Sequence, residues 1–189
     1  FSKKILRSAS KFNSILGGHP EFGKIPGVEA STGALGHGPA IGVGMAIGAK
    51  LNRLKNKTYV IVGDGEINEG SFWESSMIAS KHKLNDLHII IDYNKIQSYG
   101  KTKEVLDLEP LKKKLESFGY KVSELNGHCI NQLSKYFKKI KNNKEKPTAL
   151  ICHTIKGKGF PFAENNPYWH HKNFFTEKEI KNINECLGK

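Results

Sequence analysis

Apolar residues gather along this chain in short runs separated by mixed or glycine-rich segments. "TYVIVGD" (58–64), "LHIIIDY" (87–93) and "TALICHTI" (148–155) are apolar at nearly every position. Strands buried on both faces have that pattern. "YKVSEL" (120–125) reads as a shorter strand. Between the runs, residues 70–83, 108–118 and 130–141 follow helical spacing, the last with lysines on its polar face. Trp73 and Met77, on the 70–83 helix, are assigned to the core. A basic, helical lead-in opens the chain. A terminal helix begins at Thr176 with Glu179 three residues on, a capping box. Strands alternating with helices predict an α/β fold: a parallel sheet with helices on both faces. No internal repeat or second boundary is visible, so residues 1–189 read as one domain.

Two stretches break the rhythm. "GGHPEFGKIPGVEASTGALGHG" (17–38) is loop by its turn chemistry. Pro39 then suits the first turn of a helix running to about Leu54. On that helix Ala40, Gly44 and Gly48 recur every four residues and make a face almost without side chains. A glycine costs about 1 kcal/mol in a helix interior, so close packing against another helix or strand is expected to offset it. The uncharged stretch 30–49 has the length of a membrane span, but six glycines, a proline and a histidine make it a poor one.

Composition narrows the class. Hydrophobic and charged contents of 38% and 25% are those of a globular protein. Three cysteines, far apart and without a C-x-x-C pair, argue against a disulfide framework or zinc site and suit a reducing, cytoplasmic compartment. The net charge of +12 comes largely from lysines on predicted helix faces, without interleaved aromatics. That is a solvated surface rather than a nucleic-acid site.

The chemistry gathers where two strands end. Asp64 lies between Gly63 and Gly65 at the end of one strand, and Asn94 ends the next. A right-handed crossover places both ends at one edge of a parallel sheet, where ligands bind. One carboxylate and one amide oxygen suit a hard cation; magnesium takes six oxygens at about 2.1 Å and completes its shell with substrate phosphates. Gly63 and Gly65 allow a diphosphate close to the backbone, and the helix from Gly70 adds amide donors. These residues describe a magnesium-diphosphate site without naming the diphosphate.

G-D-G followed some thirty residues later by an asparagine resembles the thiamine diphosphate signature. "GGHPE", "PGVEASTGALGHGPAIGVGMAIGAKL", "GDGEINEGSFWE" and "AENNPYWH" resemble, in order and spacing, the thiamine diphosphate-binding half of transketolase. The form in which that enzyme is split into N-terminal and C-terminal subunits is the most similar. The resemblance implies Mg2+ (or Ca2+ or Mn2+) held by Asp64, Asn94 and the main-chain oxygen of Ile96. Gly63, Gly65 and Glu66 would lie against the diphosphate, and Gly33 and Leu35 against the aminopyrimidine. Glu69 would join a carboxylate network between paired sites. His19 would bond the sugar donor, and His170 would reach both diphosphate and substrate. The implied reaction moves a two-carbon ketol unit from a ketose phosphate to an aldose phosphate. His37, His82, His88 and His153 are assigned no such role.

The resemblance also implies what must come from elsewhere. A pyrimidine-binding domain, on a separate subunit in a dimer or heterotetramer, would complete the site and cover the glycine-faced helix and Glu69. A first segment with two further histidines would precede "GHPE"; the chain begins at Phe1 and reads as part of a longer protein, inactive alone. His171 stands where the family has glycine after "WH", and Cys129 where it has aspartate after "GH". Alternatives are another thiamine diphosphate enzyme (a deoxyxylulose phosphate synthase or a 2-oxo acid decarboxylase or dehydrogenase subunit) or a catalytically silent paralogue. "GHPE" with "WH" favours transketolase, since both histidines suit a polyhydroxylated donor.

Overall fold

The structure, a computed structural model, describes residues 2–188. The apolar runs form β1 (Thr58–Gly63), β2 (Leu87–Tyr93), β5 (Lys121–Asn126) and β6 (Thr148–His153). They pair in the order β1-β2-β6-β5, all parallel. Strand β2 holds the centre because Leu87, Ile89 and Ile91 face one side and His88 and Ile90 the other, and nearly all are buried. A two-residue ladder, β3 (Ile96–Gln97) with β4 (Gly100–Lys101), forms a small hairpin just past β2.

Helices cover both faces. Helix α1 (His37–Leu51), α2 (Gly70–Lys81) and α4 (Leu111–Ser117) pack on one face through Val43, Ala46, Phe72, Ala79, Leu111 and Leu115. On the other, α5 (Ile130–Ile140) sets Tyr136 and Ile140 against Leu150 and Cys152. A single turn, α3 (Thr102–Val105), precedes α4, and α6 (Glu177–Cys186) ends the chain with both halves of the Thr176–Glu179 capping box formed. The helix expected over 108–118 starts only after Pro110, whose ring disfavours helical backbone in the residue before it. The basic lead-in is a 3-10 helix, Lys3–Ser8.

Three expectations change. The close approach on α1 lies at Gly42, where a Cβ would come within 2.3 Å of Val60 Cγ2, while Cβ atoms at Gly44 and Gly48 would meet nothing within 4 Å. Among the described residues nothing therefore lies over Gly44 or Gly48 on the smooth face through Ala40, Gly44 and Gly48. Met77 is 55% exposed, since α2 turns Phe72, Ser76 and Ala79 inward instead; Trp73 is partly buried against Phe72 and Phe118. Finally, β1 is an edge strand covered on one face only, so Tyr59 and Ile61 are 46% and 74% exposed despite the continuous apolar pattern.

Candidate functional site

Strands β1 and β2 run in register, with Gly63 opposite Asp92. The pairing continues one residue further, because the Asp64 N–H donates to the Asp92 carbonyl at 3.2 Å. Asp64 and the chain past Tyr93 thus emerge at one edge of the sheet. The Asp64 carboxylate, 2% exposed, accepts the Gly65 N–H at 2.8 Å and the Lys95 N–H at 2.5 Å. The Asn94 side-chain oxygen accepts the Ile96 N–H at 3.0 Å, which turns the chain into the β3–β4 hairpin. Asp64 is therefore fastened to the residue immediately after Asn94.

Burial pushes the Asp64 carboxyl above the ordinary aspartate range, against the pull of its two amide bonds; the nearby Asp92 charge adds to the rise and Lys156 opposes it. A buried anion held only by neutral amides is under-compensated, and a cation would relieve it. Among the described residues no group of three or more His, Cys, Asp or Glu side chains could hold a metal. A magnesium ion does not need such a group: one carboxylate, one amide oxygen and one carbonyl match its preference for a few protein oxygens plus phosphate. Asp64 and Asn94 place a carboxylate and an amide oxygen at this edge.

Glu66 does more than expected. One of its oxygens accepts the Gly36 N–H at 3.0 Å and the other the Gly63 N–H at 3.3 Å. The carboxylate thereby clips the loop before α1 to the end of β1. Gly33 (φ +126°) has the His19 imidazole directly over it; a Cβ there would come 2.4 Å from the ring. Gly36 (φ +78°) is pressed by Ser71 and by the Glu69 side chain at 2.4 and 2.6 Å from where its Cβ would be. His19, Gly33, Gly36, Glu66 and Glu69 are thus linked by contacts on one side of the turn. A cleft of about 420 Å³ opens there, lined by Gly33, Leu35, Glu66, Ile41, Met45 and Val60.

On the other side lie two residues that no sequence motif marks. The Gln97 side chain sits on Gly65, at 2.7 Å from where a Cβ would be, so Gly65 is small for a protein contact as well as for any ligand. Gly63, by contrast, faces open space. Ser98 bonds the Nε2 atoms of both His170 (3.2 Å) and His171 (3.1 Å). Lys156, just past β6 on the same sheet edge, is close enough to bias both Asp64 and His170. Its position after a strand next to β2 was the available signal. The amides nearest Gly65 belong to a 3-10 turn, Glu66–Asn68, rather than to α2, which starts further on.

His37 and His82 are exposed, His153 bonds Glu124 at 2.9 Å, and His88 is fully buried with Nδ1 2.7 Å from the Thr148 hydroxyl.

Comparison with known proteins decides the family. The family described as "Transketolase, thiamine diphosphate binding domain" matches residues 2–189. The chain belongs to the transketolase family. Among transketolase-family relatives, it is 44% identical over 170 residues to one subunit of the apulose-4-phosphate transketolase of Phocaeicola vulgatus, an alignment covering 90% of this chain and 60% of that protein. It is 34% identical over 177 residues to 6-deoxy-6-sulfo-D-fructose transketolase subunit SqwG of Clostridium sp., covering 94% and 64%. The crystal structure of Campylobacter jejuni transketolase superposes with a TM-score of 0.88 at 30% identity, over 98% of this chain and 30% of that one. This transketolase-family chain therefore spans about 60% of the length of the apulose-4-phosphate transketolase subunits it matches. Its parallel sheet flanked by helices is the transketolase fold of the thiamine diphosphate-binding part.

Proposed function

We propose that the chain is the thiamine diphosphate- and Mg2+-binding part of a split transketolase. With a separate pyrimidine-domain subunit, in a dimer or heterotetramer, it transfers a two-carbon ketol unit from a ketose phosphate to an aldose phosphate. We further propose that residues 1–189 act as one domain, in the cytoplasm. The observation that carries this reading is the buried Asp64 carboxylate bonded to the Lys95 amide beside Asn94. The naming of relatives as single subunits of two transketolases supports the existence of a partner chain.

In this reading Asp64, Asn94 and the Ile96 carbonyl hold the metal, while the backbone at Gly63, Gly65 and Glu66 borders the diphosphate. Gly33 and Leu35 line the cleft on the aminopyrimidine side. Bound thiamine diphosphate would supply a nucleophilic carbon able to take up the ketol unit. His19, stacked over Gly33, and His170, on the Ser98 side, would donate hydrogen bonds to substrate oxygens as charge develops on them. Lys156 and the basic surface would attract anionic sugars. Glu69, exposed beside Gly36, would meet its network across the subunit boundary.

The test is calorimetry of thiamine diphosphate binding to the chain co-expressed with its pyrimidine-domain partner. Loss of residues that merely orient metal ligands weakens sites about 10–100-fold; Asp64→Ala, which removes a ligand, should weaken Mg2+-dependent binding at least that much and abolish ketol transfer. Cofactor binding that ignores both Mg2+ and this substitution would overturn the assignment.

A further inference from the structure

Ser98 stands between two imidazoles. Its single hydroxyl lies 3.2 Å from His170 Nε2 and 3.1 Å from His171 Nε2, and the two rings are 4.4 Å apart. A serine hydroxyl has one proton to give and lone pairs to accept with. It can donate to one ring at most, so at least one of the two rings donates to it. If Ser98 donates to either ring, the two histidines carry opposite tautomers at Nε2.

A second observation breaks the tie. His170 Nδ1 is buried and has no hydrogen-bond partner, whereas His171 is exposed and can meet water with its own Nδ1. A buried polar nitrogen without a partner costs stability unless something outside the chain satisfies it. The oxygens of a diphosphate or sugar phosphate accept hydrogen bonds and do not donate them when ionised. A group facing them must present N–H. We infer that His171 is a positioning residue: it donates from Nε2 to Ser98, Ser98 donates to His170 Nε2, and His170 is left with its proton on Nδ1, ready for an anionic oxygen. His170 is also biased toward the uncharged form this relay needs, by burial first, then by Lys156 and His171. The acceptor, and with it the choice of tautomer, rests on the transketolase reading.

The chain labelled with 15N-histidine tests this directly, because long-range 1H–15N correlations distinguish the two tautomers. The single variants assign the resonances. His170 should hold its proton on Nδ1, the form free histidine disfavours, and His171 on Nε2. Ser98→Ala and His171→Ala should each return His170 to the Nε2–H form. Ser98→Thr, which keeps a hydroxyl, and His171→Gln, which keeps an N–H donor, should preserve Nδ1–H. In the assembled enzyme the Kd for thiamine diphosphate should rise roughly 3- to 10-fold in His171→Ala, the scale of one hydrogen bond, and recover in His171→Gln. An Nε2–H tautomer at His170 in the unsubstituted protein would overturn the proposal. So would a weakened Kd with no change of tautomer, since that marks a merely structural contact. Because the tautomer is read without cofactor, failure here is separate from failure of the Asp64→Ala test.

Discussion

Buried polar side chains in this chain differ in how far the protein itself satisfies them. His88 is half-satisfied: its Nδ1 meets the Thr148 hydroxyl, while its buried Nε2 has no hydrogen-bond partner. It is fully buried and stacks on Tyr59. Burial, helped by the Lys57 charge, lowers its pKa to about 4 from an ordinary 6.5. The unfolded chain therefore binds a proton that the folded one refuses. The resulting stability is complete above pH 6.5 and is lost as pH falls through 4; at about 1.4 kcal/mol per pKa unit it amounts to roughly 3 kcal/mol. Urea titrations at pH 7 and pH 4 should show that loss in the unsubstituted protein and a smaller one in His88→Gln. Asp64 and His170 also hold buried polar atoms with capacity left over, but beside the candidate site. The sequence could locate both, through G-D-G and "WH", but not Gln97 or Ser98. Those two follow an ordinary "NKI", and only the hairpin turn at Asn94 carries them back over Gly65 and toward His170.

Among the elements, α1 shows how a pattern can be right and its explanation wrong. Repeated small residues did mark a helix that approaches something closely. The strand contact, however, falls on Gly42, which lies off the Ala40–Gly44–Gly48 line. Sequence spacing identifies a smooth stripe, but which stripe meets β1 depends on the rotation of α1, set by burial of Val43, Ala46 and Ala49. The two sets of glycines should respond oppositely. Gly42→Ala drives a methyl into Val60 and should cost roughly 1–3 kcal/mol. Gly44→Ala and Gly48→Ala fill open space and should each stabilise the chain alone by up to about 1 kcal/mol, seen as a rise of roughly 2–4 °C in Tm. Co-purification with the pyrimidine-domain subunit should weaken in those same two variants, if that subunit lies on the stripe as proposed. Unchanged association would place the partner elsewhere.

For the molecule as a whole, strand order was less legible than strand identity. All four sheet strands could be found from their apolar runs, and their crossovers from the helices between them. The insertion of β6 between β2 and β5 could not, because β5 (Lys121–Asn126) is only half-buried and its sequence does not say that it sits at a margin. The opposite margin is more consequential. Strand β1 reads as fully internal, yet it has backbone pairing on one side only and holds Tyr59 and Ile61 toward solvent. Unpaired amides and carbonyls flanked by apolar side chains are a template on which another polypeptide can zip. A preparation of these 189 residues alone should therefore self-associate as concentration rises, and light scattering should show Ile61→Lys suppressing it. The positive charge that keeps the rest of the surface dispersed offers little protection along this one rim.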